Sequence, residues 1–249
     1  MKIVTCATKL YKMTRLSVNI NKIATLRNSR GGKIPCVKEA VVKCQEFGAQ
    51  GVTIHPRPDE RHITRKDVYE IKPLITTEFN IEGYPSEDFL KMVIEVQADQ
   101  VTLVPDTTEQ LTSDHGWDTW GNISFLKEVI SRLQENGIRT SIFVDPDINS
   151  VEGAAEIGTN RIELYTESYA SLYPIDRSKA IEKFVEAANF AKNLQIDVNA
   201  GHDLSLENLN YFYHKIPNLA EVSIGHALIA DALYLGLETT IQKYLDCLK

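Results

Sequence analysis

Short runs of β-branched and aromatic residues recur along the chain, each ending in a polar or small residue. Longer stretches with apolar residues at helical spacing lie between them. Eight runs read as strands: 16–20 (LSVNI), 51–55 (GVTIH), 78–82 (EFNIE), 100–105 (QVTLVP), 139–145 (RTSIFVD), 161–166 (RIELYT), 197–202 (DVNAGH) and 221–226 (EVSIGH). Residues 37–48 and 123–137 read as amphipathic helices that stop at Gly48 and Gly137, glycine being a common residue just past a helix end. The stretches 178–194 and 228–248 are the longest helical patterns, and 86–96, 151–158 and 205–216 fill most remaining gaps.

Alternation of strand and helix implies parallel strands joined by right-handed crossovers. Eight such units in 249 residues predict an α/β fold of the TIM (β/α)8 barrel type. A doubly wound open sheet is the competitor, but no GxGxxG follows the first strand. No Pro/Gly-rich linker divides the chain, so residues 13–249 are expected to form a single catalytic domain. Residues 1–12 precede a second methionine, Met13, placed directly before the first strand; they read as an extension without an assigned role.

Composition narrows the function. The chain carries 34 acidic against 27 basic residues, a formal charge of −7, which argues against nucleic acid as a partner over a broad surface. It leaves room for a local anion site. Cys6, Cys36, Cys44 and Cys247 form no CxxC pair and no metal spacing, and read as free thiols of a cytoplasmic protein. Neither a signal peptide nor a membrane span is legible.

The strand ends carry the candidate chemistry, because a TIM barrel gathers them at one mouth. In order they are Asn19, His55, Glu82, Asp106, Asp145, Thr166 with Glu167, His202 and His226. Three of six histidines close a strand, and with Glu82 they converge; His115 and His214 receive no role. A metal site is not expected: the first strand has no HxH pair and the histidines are scattered singly. A Schiff-base lysine is not expected either, since no strand has an inward lysine near its end.

Anion binding fits better. Arg57 and His62 follow the strand ending at His55, and Lys22, Arg27 and Arg30 lie beyond Asn19. Gly225–His226 ends a strand and opens a helix, whose free N–H groups suit a phosphate. The loop TSDHGWD adds Thr112 and Ser113 as donors. These groups predict at least one phosphate site, and two on different sides of the mouth.

The runs VNINKIATLRNSRGG, GVTIHPRPDERHI, FNIEG, VTLVPD, VNAGHDL and SIGHALI resemble the pyridoxine 5′-phosphate synthase family, from about Met13 to the C-terminus. The resemblance implies a TIM barrel with extra helices, assembled as a homo-octamer from dimers. It implies condensation of 1-deoxy-D-xylulose 5-phosphate with 3-amino-2-oxopropyl phosphate to pyridoxine 5′-phosphate, phosphate and water, without a metal or organic cofactor. The imine forms between the two substrates, which agrees with the missing lysine. By position, His55 and Glu82 would accept protons and His202 would donate one. Asn19, Arg30, Gly225 and His226 would hold the amino-ketone phosphate; Arg57, His62 and Thr112 would hold the sugar phosphate. Where many members have Asp-His this chain has Asn21 and Lys22, and a common glycine after His202 is Asp203. All three stay candidate substrate-binding residues. A phosphosugar isomerase or epimerase is the alternative enzyme. A ligand-binding barrel without activity would need inert strand ends.

Overall fold

The computed structural model describes residues 13–106 and 113–249. The expected N-terminal extension, Cys6 and Thr112 therefore lie outside the described residues. Among the described residues the chain runs β1 (Arg15–Asn19), α1 (Asn21–Asn28), α2 (Val37–Glu46), β2 (Gly51–Ile54), α3 (Arg65–Ile71), a 3₁₀ turn (Lys72–Leu74) and β3 (Glu78–Gly83). It continues through α4 (Glu87–Glu95), β4 (Gln100–Leu103), α5 (Ile123–Glu135), β5 (Arg139–Val144), α6 (Ile148–Ile157) and β6 (Arg161–Leu164). The last part is α7 (Glu167–Leu172), α8 (Arg177–Asn193), β7 (Asp197–Ala200), α9 (Leu209–Lys215), β8 (Leu219–Ile224), α10 (His226–Leu235) and α11 (Leu237–Asp246). Each strand pairs in parallel with the next, and β8 pairs with β1, so the sheet closes into an eight-stranded barrel. This is the TIM barrel that the alternating pattern predicts.

Two expectations need correction. His55, His202 and His226 do not end their strands: β2, β7 and β8 stop at Ile54, Ala200 and Ile224, and His226 is the first residue of α10. The long helix expected over 228–248 is two helices. Gly236 separates them with φ of 78° and ψ of 150°, a backbone region that favours glycine and cannot continue a helix.

The strands alternate in a way that places the apolar core outside the barrel wall. Leu16, Val18, Ile54, Ile81, Ile162 and Ile224 are fully buried and belong to the hydrophobic cluster formed with the surrounding helices. Their sequence neighbours face inward and are polar. Ser17 and Thr53 hydroxyls meet at 2.7 Å, Asn80 Nδ2 donates to Thr53 Oγ1 at 3.3 Å, and Thr102 Oγ1 donates to Asn80 Oδ1 at 3.1 Å. Toward the N-terminal end, Gln100 Oε1 accepts from Arg139 and Arg161 at 2.9 Å each, and Glu78 pairs with Arg15 and Arg139. A TIM barrel interior is commonly filled by bulky apolar side chains; this one is filled by polar side chains, only part of which hydrogen-bond to one another. At its top, Gly201 admits no side chain, since a Cβ there would lie 2.0 Å from the Ser223 carbonyl oxygen.

Candidate active site

β1 and β2 deliver the first half of the site. Asn19 Nδ2 donates to Glu82 Oε2 at 3.4 Å, while its Oδ1 accepts the Asn21 N–H at 3.1 Å. Asn21 Oδ1 in turn accepts the His55 N–H at 2.9 Å. The Asn21 side chain therefore holds the backbone that carries His55. His55 Nδ1 lies 3.9 Å from Glu82 Oε2, and both side chains are largely withdrawn from solvent. Burial, then the Arg57 and His62 charges, hold the imidazole well below its ordinary value, so His55 is neutral near pH 7. Burial, Glu163 and Asp106 push the Glu82 carboxyl well above the usual range. The 3.9 Å contact is thus between a neutral ring and a carboxyl that resists ionisation, and is not an ion pair.

The loop after β2 carries the cations. Arg57 is buried and paired with Asp106, whose Oδ2 also accepts from Ser113 Oγ at 2.8 Å. His62 sits edge-on to His55 with ring centroids 6.2 Å apart. Its Nδ1 accepts the Ile63 N–H at 2.9 Å, which leaves any mobile proton to Nε2. Burial and the charges of Arg57, Lys22 and Arg61 lower His62 to about 4. Lys22 is exposed in the first turn of α1, near enough to act on that ring. Arg61 pairs with Asp59 at 2.6 Å, and the Arg65 N–H donates to Glu60, as a salt-bridged surface loop would. The loop is tied down from α1: Arg27 Nη2 and Asn28 Nδ2 donate to the His62 carbonyl at 3.1 and 2.8 Å. Arg27 also forks onto Asp67 at 2.6 and 2.8 Å, and Asp67 completes a capping box with Thr64 at the start of α3.

β6, β7 and β8 supply the other half. His202 Nδ1 and Asp203 Oδ2 are 2.8 Å apart, and Tyr165 packs edge-on to the ring at 5.7 Å. Burial opposes the charged ring, but the Asp203 hydrogen bond and the Asp203, Glu163 and Asp106 charges raise His202 overall. Asp203 has no N–H to spare for substrate, since it donates to Thr166 Oγ1 at 3.2 Å. Gly225 packs against Asn19 and precedes the uncapped N-terminus of α10, where His226 is exposed. Arg30 is exposed in the turn after α1.

Sequence reading passed over Glu163. It points inward from β6, is 4% exposed, and its Oε2 has no partner among the described residues. Burial pushes its acid up to about 7, against the lowering effects of His202 and a Thr102 hydrogen bond. The available signal was a lone carboxylate inside the apolar run RIELY. The Arg57–Asp106 pair was likewise missed, although both residues were singled out separately. Among the described residues no group of three or more His, Cys, Asp or Glu is placed to hold a metal ion, and no helix is long and apolar enough to cross a membrane.

Solved structures with the same fold include phosphoribosyl anthranilate isomerase from Thermotoga maritima, at TM-score 0.59 and 14% identity over 95% of this chain and 98% of that one. Another is 3-keto-L-gulonate-6-phosphate decarboxylase from Vibrio cholerae, at TM-score 0.63 and 12% identity over 95% and 97%. At these identities they speak for the barrel alone. Sequence relatives are much nearer. Pyridoxine 5′-phosphate synthase from Bacteroides fragilis is 61% identical over 237 residues, 95% of this chain and all of the relative. The enzyme of that name from Flavobacterium johnsoniae is 56% identical over the same coverage. The family described as pyridoxal phosphate biosynthesis protein PdxJ matches residues 16–249. With its barrel, its paired acid and base groups and this likeness along nearly its whole length, the chain belongs to the PdxJ family of pyridoxal phosphate biosynthesis proteins.

Proposed function

We propose that the mouth of this barrel performs the ring closure of pyridoxine 5′-phosphate synthesis by proton transfer, with His55 and Glu82 as acceptors and His202 as donor. The observation that carries the reading is the opposite tuning of the two histidines. His55 is kept neutral by burial and neighbouring cations, whereas His202 is drawn toward its charged form by Asp203 despite burial. Two titratable groups whose environments push them apart are what an acid and a base at one pH require. Glu82 starts protonated, since burial and Glu163 penalise its ionised form, so it accepts a proton only after passing its own to the reacting substrates.

The chemistry that fits is attack of the amine of 3-amino-2-oxopropyl phosphate on the ketone of 1-deoxy-D-xylulose 5-phosphate. Loss of water at imine formation, loss of one phosphate, an aldol-type closure and loss of a second water from the resulting carbinol complete the aromatic ring, and each step moves protons. Arg57, His62 and Thr112 serve the sugar phosphate. Asn19, Arg30, Gly225 and His226 serve the amino-ketone phosphate, with Lys22 at the edge of the first. Holding both phosphates brings the reacting carbons together, which supplies much of the rate. His62 works as a neutral donor rather than a cation, given its depressed titration. Asn21 serves through His55, whose N–H it holds. We further propose that the enzyme is a cytoplasmic homo-octamer, a tetramer of dimers; Leu233 and Tyr234 at the end of α10, 70% and 90% exposed, suit a contact between copies.

The test is an assay with both phosphorylated substrates, following pyridoxine phosphate and released phosphate. Glu82→Gln and His202→Asn are expected to lower turnover at least a hundredfold while leaving substrate affinity within a few-fold. Near-normal turnover in either variant would refute that residue's role. Turnover of one phosphosugar alone would favour an isomerase instead.

A further inference from the structure

We infer that Asp203 is a positioning residue of the reaction, which acts through His202 by fixing its tautomer and orientation, and that it is not a substrate ligand. The inference rests on the acid–base reading above. Asp203 is fastened on three sides. Its N–H donates to Thr166 Oγ1 at 3.2 Å, its carbonyl accepts from Asn208 Nδ2 at 3.2 Å, and its Oδ2 lies 2.8 Å from His202 Nδ1. Both anchors are themselves fixed. Thr166 Oγ1 donates to the Gly201 carbonyl at 3.2 Å, and Asn208 Oδ1 accepts the Ser205 N–H at 2.9 Å. The Leu204 N–H also closes a tight turn onto the Gly201 carbonyl at 2.7 Å.

A main chain held this way leaves the carboxylate little choice of direction. It meets the imidazole beside it, and a carboxylate accepts without donating, so Nδ1 carries the hydrogen. Nε2 is then the nitrogen that takes up and releases the mobile proton. This is the role an aspartate plays behind a catalytic histidine: it orients the ring and stabilises the charged form without itself reacting. The arrangement comes from adjacent residues on one loop. Among the described residues, the groups that act on the ring from other elements include Glu163 on β6, Asp106 after β4, itself paired with Arg57, and the Tyr165 ring. The carboxyls among them act on the ring in the same direction as Asp203, which also supplies the hydrogen bond.

Asp203→Asn removes the charge and keeps the shape; Asp203→Ala removes both. In full-length protein with labelled histidine, the His202 ring resonances are assigned by their loss in His202→Asn and titrated by NMR. Both Asp203 variants are expected to move the His202 titration to lower pH, and Asp203→Ala to convert the ring from the Nδ1–H to the Nε2–H tautomer. The alkaline limb of kcat should shift the same way, with kcat at pH 8 falling about tenfold. KM for each phosphate should stay within about twofold, and Asp203→Glu should restore part of kcat. A His202 titration and tautomer unchanged in both variants would overturn the inference. So would a raised KM with unchanged kcat, which would make Asp203 a substrate ligand. The NMR arm needs no turnover, so a wild-type protein that makes no product would sink the reaction and leave the pairing to be judged by its own result.

Discussion

Glu163 sits inside the barrel with one oxygen unpartnered and titrates at about 7, against an ordinary value of 4.5. Between those values the folded protein holds a proton that the unfolded chain has released. The stability linked to this group is therefore full below 4.5 and lost as pH rises through about 7. Glu163→Gln should raise unfolding free energy at pH 8 by about 2 kcal/mol and by much less at pH 5, as measured by urea unfolding at both values. A difference independent of pH would mean that the carboxyl is not the cause. His62 has the opposite sign: lowered to about 4, it favours the fold above 6.5 and withdraws that support as pH falls toward 4. Of these residues, His55, Glu82 and His202 were legible because they are titratable groups at predicted strand ends. Glu163 was not, because it lies one inward position deeper than the end of its strand. The hold of Asn21 on His55 was illegible for another reason: it joins residues 34 apart whose meeting depends on the β1–β2 pairing.

The loop after β2 owes its shape to a helix on the neighbouring unit. α1 ends with Arg27 and Asn28, and both reach the carbonyl of His62, while Arg27 also binds Asp67 at the start of α3. Arg27→Ala should thus loosen the loop carrying Arg57 and His62. We expect KM for the sugar phosphate to rise about tenfold with a smaller change in kcat, and stability to fall by about 2 kcal/mol, since a partly buried ion pair is broken on one side. Steady-state kinetics and thermal melting check the two halves; an unchanged KM would show that the loop holds itself. All eight strands were readable because their runs are β-branched and bounded by turn residues. α1, α3 and α7 were not read as helices: each has eight residues or fewer, and α1 buries only Ala24, so no apolar stripe develops. The helix pattern over 228–248 looked continuous because Gly236 falls between two apolar faces; only its positive φ reveals the break.

At the scale of the molecule, the barrel and the proposed octamer stand on different footings. The closed sheet follows from the alternation of strand and helix, which the chain repeats eight times. Assembly leaves no such mark, because the apolar face of an outer helix looks alike whether it meets its own barrel or another copy. Light scattering should give eight times the 28.1 kDa chain mass, and Tyr234→Glu should reduce it; a monomeric wild-type mass would refute the assembly. The polar filling within the barrel wall has a thermal consequence. Unfolding exposes Ser17, Thr53, Asn80, Thr102 and their neighbours along with the apolar shell. Newly hydrated polar surface lowers the heat capacity while apolar surface raises it. The increment per residue should then fall below the usual 12–15 cal/mol/K, giving a flatter stability curve and a fold that loses less of its margin on cooling than a barrel lined with valine and isoleucine.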